Sequence, residues 1–302
     1  MGADQFFGPW EGEPVTSWAE ALKAVEQIIN RVGKRAMAWR GQGDASWNLH
    51  SGLYRRLPGL VDETHGAPTE EDLLKLEKRV ASYVRQRWRF DHMPYLQLLA
   101  QLQHFRAPTR LLDVSLSPLV ALWFAVEQQF DDIDGKDGRM FAFDVSNRAV
   151  SLTAEWSAYD IPWQNDGRNT PWCRELPLFW RPPAYNERIP AQQSGFLLAG
   201  VPKVYGGGNS QYRKGPGTAG EFWKVDEVRH ATSVPTRLAG RDRAIQAKTE
   251  PSFTLRIKAV AKSEIREKLE NHYGINPATM YPDPFGMAEE ARKVIDHGLL
   301  DS

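Results

Sequence analysis

The stretch from Gln103 to Ala125, QHFRAPTRLLDVSLSPLVALWFA, constrains the fold more than any other. Its end is apolar on every side. A helix over residues 119–128 therefore has no polar face to turn to water and belongs at the centre of the core. Ser117 as N-cap and Pro118 at the first helical position give that helix a defined start. Just ahead of it stand His104, Arg106, Thr109, Arg110, Asp113, Ser115 and Ser117. Polar groups crowded at a core edge either hold a polar ligand or balance one another. Asp113, between Leu112 and Val114, is costly to bury unpaired. Either Arg110 or Arg40 neutralises it, or it faces a cleft as an acid/base group. Ser115 and Ser117 lie at the helix N-terminus, where free N–H groups favour an anion.

Periodicity supplies the neighbouring elements. SWAE from Ser17 to Glu20 reads as a capping box, followed by a stripe of Ala21, Leu22, Val25, Ile28, Ile29 and Val32. RAMAWRG reads as a short strand ending in a turn at Gly41. A helix is predicted over 69–90, with Leu73, Leu76, Val80, Val84 and Trp88 on one face, and another over 95–103. RMFAFDV and SFTLRIKAV alternate as strands do, and helices follow near 263–272 and 287–297. Helices early and strands late argue for an α+β fold rather than a doubly wound sheet.

Composition narrows the function. Lys+Arg and Asp+Glu balance at 38 each, so a generic polyanion-binding surface is not implied. Cys173, the one cysteine, can form neither an internal disulfide nor a Cys-based zinc site, which suits a reducing cytoplasm. The first residues carry no basic and apolar leader, and no run is long enough to span a membrane, so a cytoplasmic protein without membrane contact is expected. No HExxH and no GxSxG occurs, so neither metal nor nucleophilic hydrolase chemistry is expected. GPGTAG, from Gly215 to Gly220, follows a polar segment rather than an apolar strand, so it reads as a loop or lid, not a dinucleotide fingerprint. RVASYVRQRWRF, from Arg79 to Phe90, holds four arginines and no acid, with Tyr83 and Trp88 interleaved. It is either a solvated helix face or a surface that touches a nucleic-acid backbone. WRGQGDASWNLHSGLYRR is the second site-like segment: Arg40 leaves a strand straight into a glycine turn. It presents a guanidinium fork suited to phosphate oxygens beside a bare backbone suited to an amide-bearing ring. The alternative is Arg40 paired with a buried acid.

These segments carry a resemblance. AWRGQGDASWNLHSGLYRR, LAQLQHFRAPTRLLDVSLSPLVALWFA, RIPAQQSGFLL and YGINPATMYPDPFGMA resemble, in order, the blocks of the FRG domain family. Trp39 stands where Phe or Tyr is usual and Val114 where Trp is usual. The resemblance implies a single FRG-type domain over 1–302, helical over about 15–130 and rich in strands and loops over about 136–295. The blocks are also similar in order to ADP-ribosyltransferases of the arginine–serine–glutamate type, which implies helices packed on a mainly antiparallel, split β core. NAD is then the implied substrate, with Arg40, Gly41, Gln42, Thr109, Arg110, Ser115 and Gln193 binding it and Asp113 and Glu221 as catalytic acids. Where that family has its glutamate, this chain has Gln192 and Gln193, and Glu221 is the next acid after a loop. The implied setting is a toxin or anti-phage effector acting on a nucleic-acid or protein acceptor, with an antitoxin or regulatory partner. The alternative is a non-catalytic module that binds a nucleotide or a partner.

Overall fold

The computed structural model describes residues 3–8, 10–59, 66–128, 133–152, 154–164, 177–198, 200–214, 221–234, 236–238 and 251–296. Cys173 and the Gly215 to Gly220 loop lie outside the described residues. The helices are α1 (Ala3–Phe6), α2 (Trp18–Val32), α3 (Glu70–Trp88), α4 (Tyr95–His104), α5 (Pro118–Val126), α6 (Arg188–Ala191), α7 (Val225–Ala231), α8 (Lys262–Tyr273), α9 (Pro277–Met280) and α10 (Pro284–Asp296). The strands are β1 (Met37–Gln42), β2 (Leu112–Ser115), β3 (Gly138–Asp144), β4 (Ala149–Val150), β5 (Leu178–Trp180), β6 (Ser194–Leu198), β7 (Asn209–Arg213), β8 (Phe222–Lys224), β9 (Arg237–Leu238) and β10 (Pro251–Ile257).

The fold is α+β. Eight strands form one sheet in the order β4-β5-β6-β2-β1-β3-β10-β9, with β7 and β8 paired apart from it. The sheet is mainly antiparallel; β4–β5 and β9–β10 are its parallel pairs. Both faces are covered, and the side chains of β3 show it. Met140 and Ala142 face α2, α5 and α8. Phe141 and Phe143 face α1 and α7. A strand buried on both sides reads as a continuous apolar run, so MFAF lacks the polar alternation expected of RMFAFDV although the segment is a strand.

The β core is not split as expected: β1 and β2 pair, and all eight strands join in one sheet whose thinnest pairing lies between those two. β1 and β3 share six register pairs, whereas β1 and β2 share one, Trp39 with Ser115. The sheet is continuous in order but weakly laced at its middle. Strands and helices are not segregated along the chain as their order suggested: β1 and β2, from the early half, lie in the centre, and α8 and α10 come late.

Caps behave largely as local chemistry dictates. Ser17 Oγ accepts from Glu20 N at 3.3 Å, but the Glu20 carboxylate reaches Thr16 N at 2.7 Å instead of closing the box. Thr69 and Asp72 do form a capping box at the start of α3. The buried stripe of α3 is Leu73, Glu77, Ala81 and Arg85, so Trp88 lies off it and is exposed, contrary to the sequence pattern. The two charged members of the stripe find partners inside: Glu77 accepts from Arg110 and Trp163, and Arg85 donates through Nη2 to the carbonyls of Met93 and Tyr159 at 3.0 and 2.6 Å.

α5 is the central helix, with Leu122, Trp123 and Ala125 buried and Leu119 partly so. It lies directly on the backbone of the sheet. A Cβ at Gly41 would sit 1.9 Å from Ala121 O and 2.4 Å from Ala125 N. The missing side chain at Gly41 is thus required by helix packing, whatever else its backbone does. Gly41→Ala is expected to push α5 off β1 and to destabilise the fold by about 1–3 kcal/mol or more, the cost of overpacking. Denaturant unfolding checks this; an unchanged midpoint would show that α5 does not lie so close.

Candidate functional site

A cleft of about 510 Å³ opens at the weakly laced β1–β2 junction, within the roughly 300–1,000 Å³ of small-ligand sites. β1 lines it with Arg40, Gly41 and Gln42, and β2 with Asp113 and Ser115. Arg40 Nη1 donates to the backbone carbonyl of Asp113 at 2.7 Å, replacing a strand–strand bond where the ladder has lapsed. Its Nε is buried and has no partner among the described residues. Burial draws this guanidinium below its ordinary pKa, and the nearby Asp113 charge opposes that shift. Gln42 donates to Asn48 O at 3.3 Å, while its buried Oε1 lacks a partner among the described residues.

Asp113 is exposed to the cleft, not buried, so it needs neither Arg110 nor Arg40 as a neutralising ion pair. Its Oδ1 accepts from Gln103 Nε2 at 2.9 Å. Gln103 is oriented in turn by the buried Thr109 hydroxyl, which donates to Gln103 Oε1. Thr109 therefore stands behind the wall, not on it. Ser115 Oγ donates to Gln192 O at 2.7 Å and accepts from Ser117 N at 3.0 Å, and Ser117 Oγ caps Val120 N at 3.4 Å. These hydroxyls occupy N–H groups at the α5 N-terminus that sequence reasoning had offered to an anion.

Three residues expected at the site lie elsewhere. Arg110 is fully buried on the α3 side, bonded to Glu77 through Nε at 2.8 Å, paired with Glu70 at 2.9 Å and lying 4.6 Å from the Trp163 ring. Burial alone lowers an arginine pKa, but Glu77 and Glu70 outweigh it and raise that of Arg110. It anchors α3, which itself buries Glu77. Gln193 takes a left-handed φ of 46° and turns its side chain to solvent, so Gln192 and Ser194 line the cleft instead. Glu221 is exposed beside the β7–β8 pair, 3.5 Å from Lys214, and does not line the cleft.

Other lining residues went unselected from sequence. Glu127, just past α5, is buried and accepts from Tyr281 Oη at 3.0 and 3.1 Å. Burial, reinforced by Glu127, raises the Tyr281 pKa well above its usual value. Arg188 pairs with Asp283, Nη2 to Oδ1 at 2.8 Å, and this bond with the Gly286 N–H holds the Asp283 pKa down at about 2. His104, Trp47, His50, Arg55 and Arg56 complete the polar rim. The signal for several was present: Arg188, Tyr281 and Asp283 fall in the sequence blocks that carry the family resemblance. Glu127, a lone carboxylate ending an apolar helix, was also legible.

The cleft is basic. Of its lining arginines, Arg106 pairs with Glu289 and Arg188 with Asp283. Arg40, Arg55 and Arg56 have no carboxylate ion pair among the described residues. Phe124, Tyr281 and the half-exposed Trp47 add ring surface. Among the described residues no group of His, Cys, Asp and Glu is arranged to hold a metal ion, and no helix is long and apolar enough to cross a membrane.

Fold and cleft together give an α+β protein with a basic, aromatic-edged cleft at a thin point in its central sheet. Residues 35–133 match the family model of the FRG domain. That segment runs from just before β1 to the loop after α5 and contains Arg40, Gln42, Asp113, Ser115 and Glu127. No curated protein and no solved structure matches the chain.

Arg110→Ala is expected to leave Glu77 as an uncompensated buried charge and to cost about 3–5 kcal/mol. Chemical unfolding measures this, and a small loss would return Arg110 to the list of candidate ligand contacts. A second expectation concerns pH. Burial, against the bond to Arg229 O, lowers the His50 pKa from 6.5 to about 4. The folded state thus prefers neutral His50. That stabilisation is complete above pH 6.5 and is lost as pH falls toward about 4. Melting temperature followed through this window should fall more steeply for the native chain than for His50→Gln; parallel curves would remove His50 as the cause. Asp283 contributes in a lower window, its stabilisation lost as pH falls from 3.8 to about 2.

Proposed function

We propose that the cleft binds a pyrophosphate-bearing nucleotide, NAD in the first instance, and that the protein acts on its nicotinamide–ribose bond as an ADP-ribosyltransferase-like effector. The observation that carries this reading is the set of Arg40, Arg55 and Arg56 around one cleft, with no carboxylate partner for any of them among the described residues. Guanidinium groups held near a partly dry wall favour the oxygens of a phosphate chain. The unpartnered Gln42 Oε1 suits a donor such as a carboxamide N–H. The order of elements supports the same reading: an arginine on β1, a Ser-bearing β2 leading into α5, and β6 beside β2.

In the proposed reaction the C–N bond between ribose and nicotinamide breaks, and the pair of electrons leaves with neutral nicotinamide. A hydroxyl, amide or water oxygen or nitrogen bonds to the ribose carbon and loses its proton. The oxocarbenium-like state between these events is stabilised by negative charge placed near it. Asp113 is the acid suited to this, because it faces the cleft and its orientation is fixed through Gln103. Glu127 is a second carboxylate on the wall. A toxin or defence role, with a nucleic-acid or protein acceptor, extends the proposal and rests on the resemblance alone.

One observation favours a second reading. The residue facing the cleft at the end of α6, two positions before β6, is an amide, Gln192, and its Nε2 is bound to Met280 O at 2.8 Å. A site without an acid there suits binding without turnover.

Nicotinamide release and NAD binding by calorimetry separate the readings. Arg40→Ala should weaken binding about tenfold to a hundredfold, the worth of a charge-assisted fork, about 1.5–3 kcal/mol. Asp113→Asn keeps the bond to Gln103 and removes the charge, so turnover should fall while affinity and folding hold. NAD binding without nicotinamide release would support the binding module. Absence of both would end the proposal.

A further inference from the structure

We infer that the C-terminal half of α3 is a docking surface for single-stranded nucleic acid. This surface lies apart from the cleft and does not depend on what the cleft binds. The buried stripe of α3 ends at Arg85. The exposed side carries Lys78, Arg79, Tyr83, Arg87 and Trp88, with Arg89 as the left-handed C-cap. Arg79, Tyr83 and Arg87 are spaced four apart and so form one row along the helix.

Two features of this exposed side have no structural use. Tyr83 and Trp88 are 58% and 59% exposed, with ring centroids 5.6 Å apart at 61°. Large rings left in water forfeit the burial that normally places them inside. Lys78, Arg79, Arg87 and Arg89 form no ion pair with any described residue. Of the acids in the first turn of α3, Asp72 is held in the capping box with Thr69 and Glu71 is taken by Lys75 at 3.0 Å. Cations in the last turn do suit the helix dipole. That accounts for Arg87, but it does not account for Arg79, near the middle of the helix, or for the rings. Tyr159, 48% exposed and stacked 3.5 Å from the Arg85 guanidinium, extends the aromatic surface at the end of α3. Among the described residues, Asp91 and Asp160 are exposed acids at its margin.

The chemistry of the patch selects its partner. Rings interleaved with guanidinium groups match a chain of stackable bases and phosphates. A membrane-binding helix needs an aliphatic face as well as cations. The exposed large apolar residues of α3 are Tyr83 and Trp88, with no Leu, Ile, Val, Met or Phe among them. The protein as a whole is neutral, so this is a local patch rather than a general affinity for polyanions.

Fluorescence anisotropy with labelled oligo-dT and oligo-U of about 16 nucleotides, the upper site size of single-strand binding folds, tests the inference. Saturable binding is expected at low salt. Tyr83→Ala and Trp88→Ala should each weaken it about 5- to 150-fold, the range for losing one base stack. Arg79→Gln with Arg87→Gln should weaken it and flatten its salt dependence by about 0.7 per lost phosphate contact. Circular dichroism confirms that these surface variants fold. The inference is overturned if neither oligonucleotide binds, if binding is indifferent to both ring substitutions, or if vesicles of phosphatidylserine and phosphatidylcholine bind while oligonucleotides do not. Arg40→Ala should leave oligonucleotide affinity unchanged; a loss there would put the nucleic acid in the cleft and would also overturn it.

Discussion

The approach of α5 to the sheet governs the rest of the molecule. Two glycines make it possible: a Cβ at Gly41 would meet Ala121 O at 1.9 Å, and one at Gly138 would meet Ala125 O at 2.4 Å. The helix backbone therefore rests on β1 and β3 without side chains between. That contact fixes where α5 ends, and its end carries Glu127 into the cleft beside Tyr281. It also fixes the strand that carries Arg40 and Gln42. The position of the site is a by-product of helix-on-sheet packing before it is a matter of polar chemistry.

The lapse between β1 and β2 is the second consequence. A full ladder there would leave no room for a ligand. One register pair and the Arg40 bond to Asp113 O hold the two strands together. Arg40 is thus a brace as well as a candidate ligand contact, because one bond from Nη1 leaves its other N–H donors unused. The arginines of the rim divide likewise. Arg106 and Arg188 fasten α10 and its approach to the cleft through Glu289 and Asp283, while Arg55 and Arg56 have no acidic partner among the described residues.

Much of this was legible in the sequence, for reasons that differ by element. The all-apolar run after Pro118 could only be central, and α5 is. Arg40 and Asp113 were matched to one cleft from the order of motif blocks, and both line it. The failures are equally physical. Arg110 looked like a site residue because its partners, Glu77 and Glu70, lie on another helix that the local sequence does not reveal. Trp88 looked buried because a 3.6-residue period does not say which face wins, and Glu77 and Arg85 found internal partners that let a polar stripe face inward. β2 is four residues long, too short for alternation to be seen, although it is central. Gln192 and Gln193 could not be told apart until the left-handed backbone at Gln193 turned one away.

The bonds from Thr109 to Gln103 and from Gln103 to Asp113 carry a further implication. The direction in which the Asp113 carboxylate points is inherited from a hydroxyl that never meets solvent. Replacing Thr109 by valine would keep its shape and its place in the core, yet it would leave Gln103 held only by its bond to Leu111 O and loosen the carboxylate with it. These three positions therefore form one inherited unit. Drift at the hidden member would be felt at the surface member, and lineages that alter one would be driven to alter the others in concert.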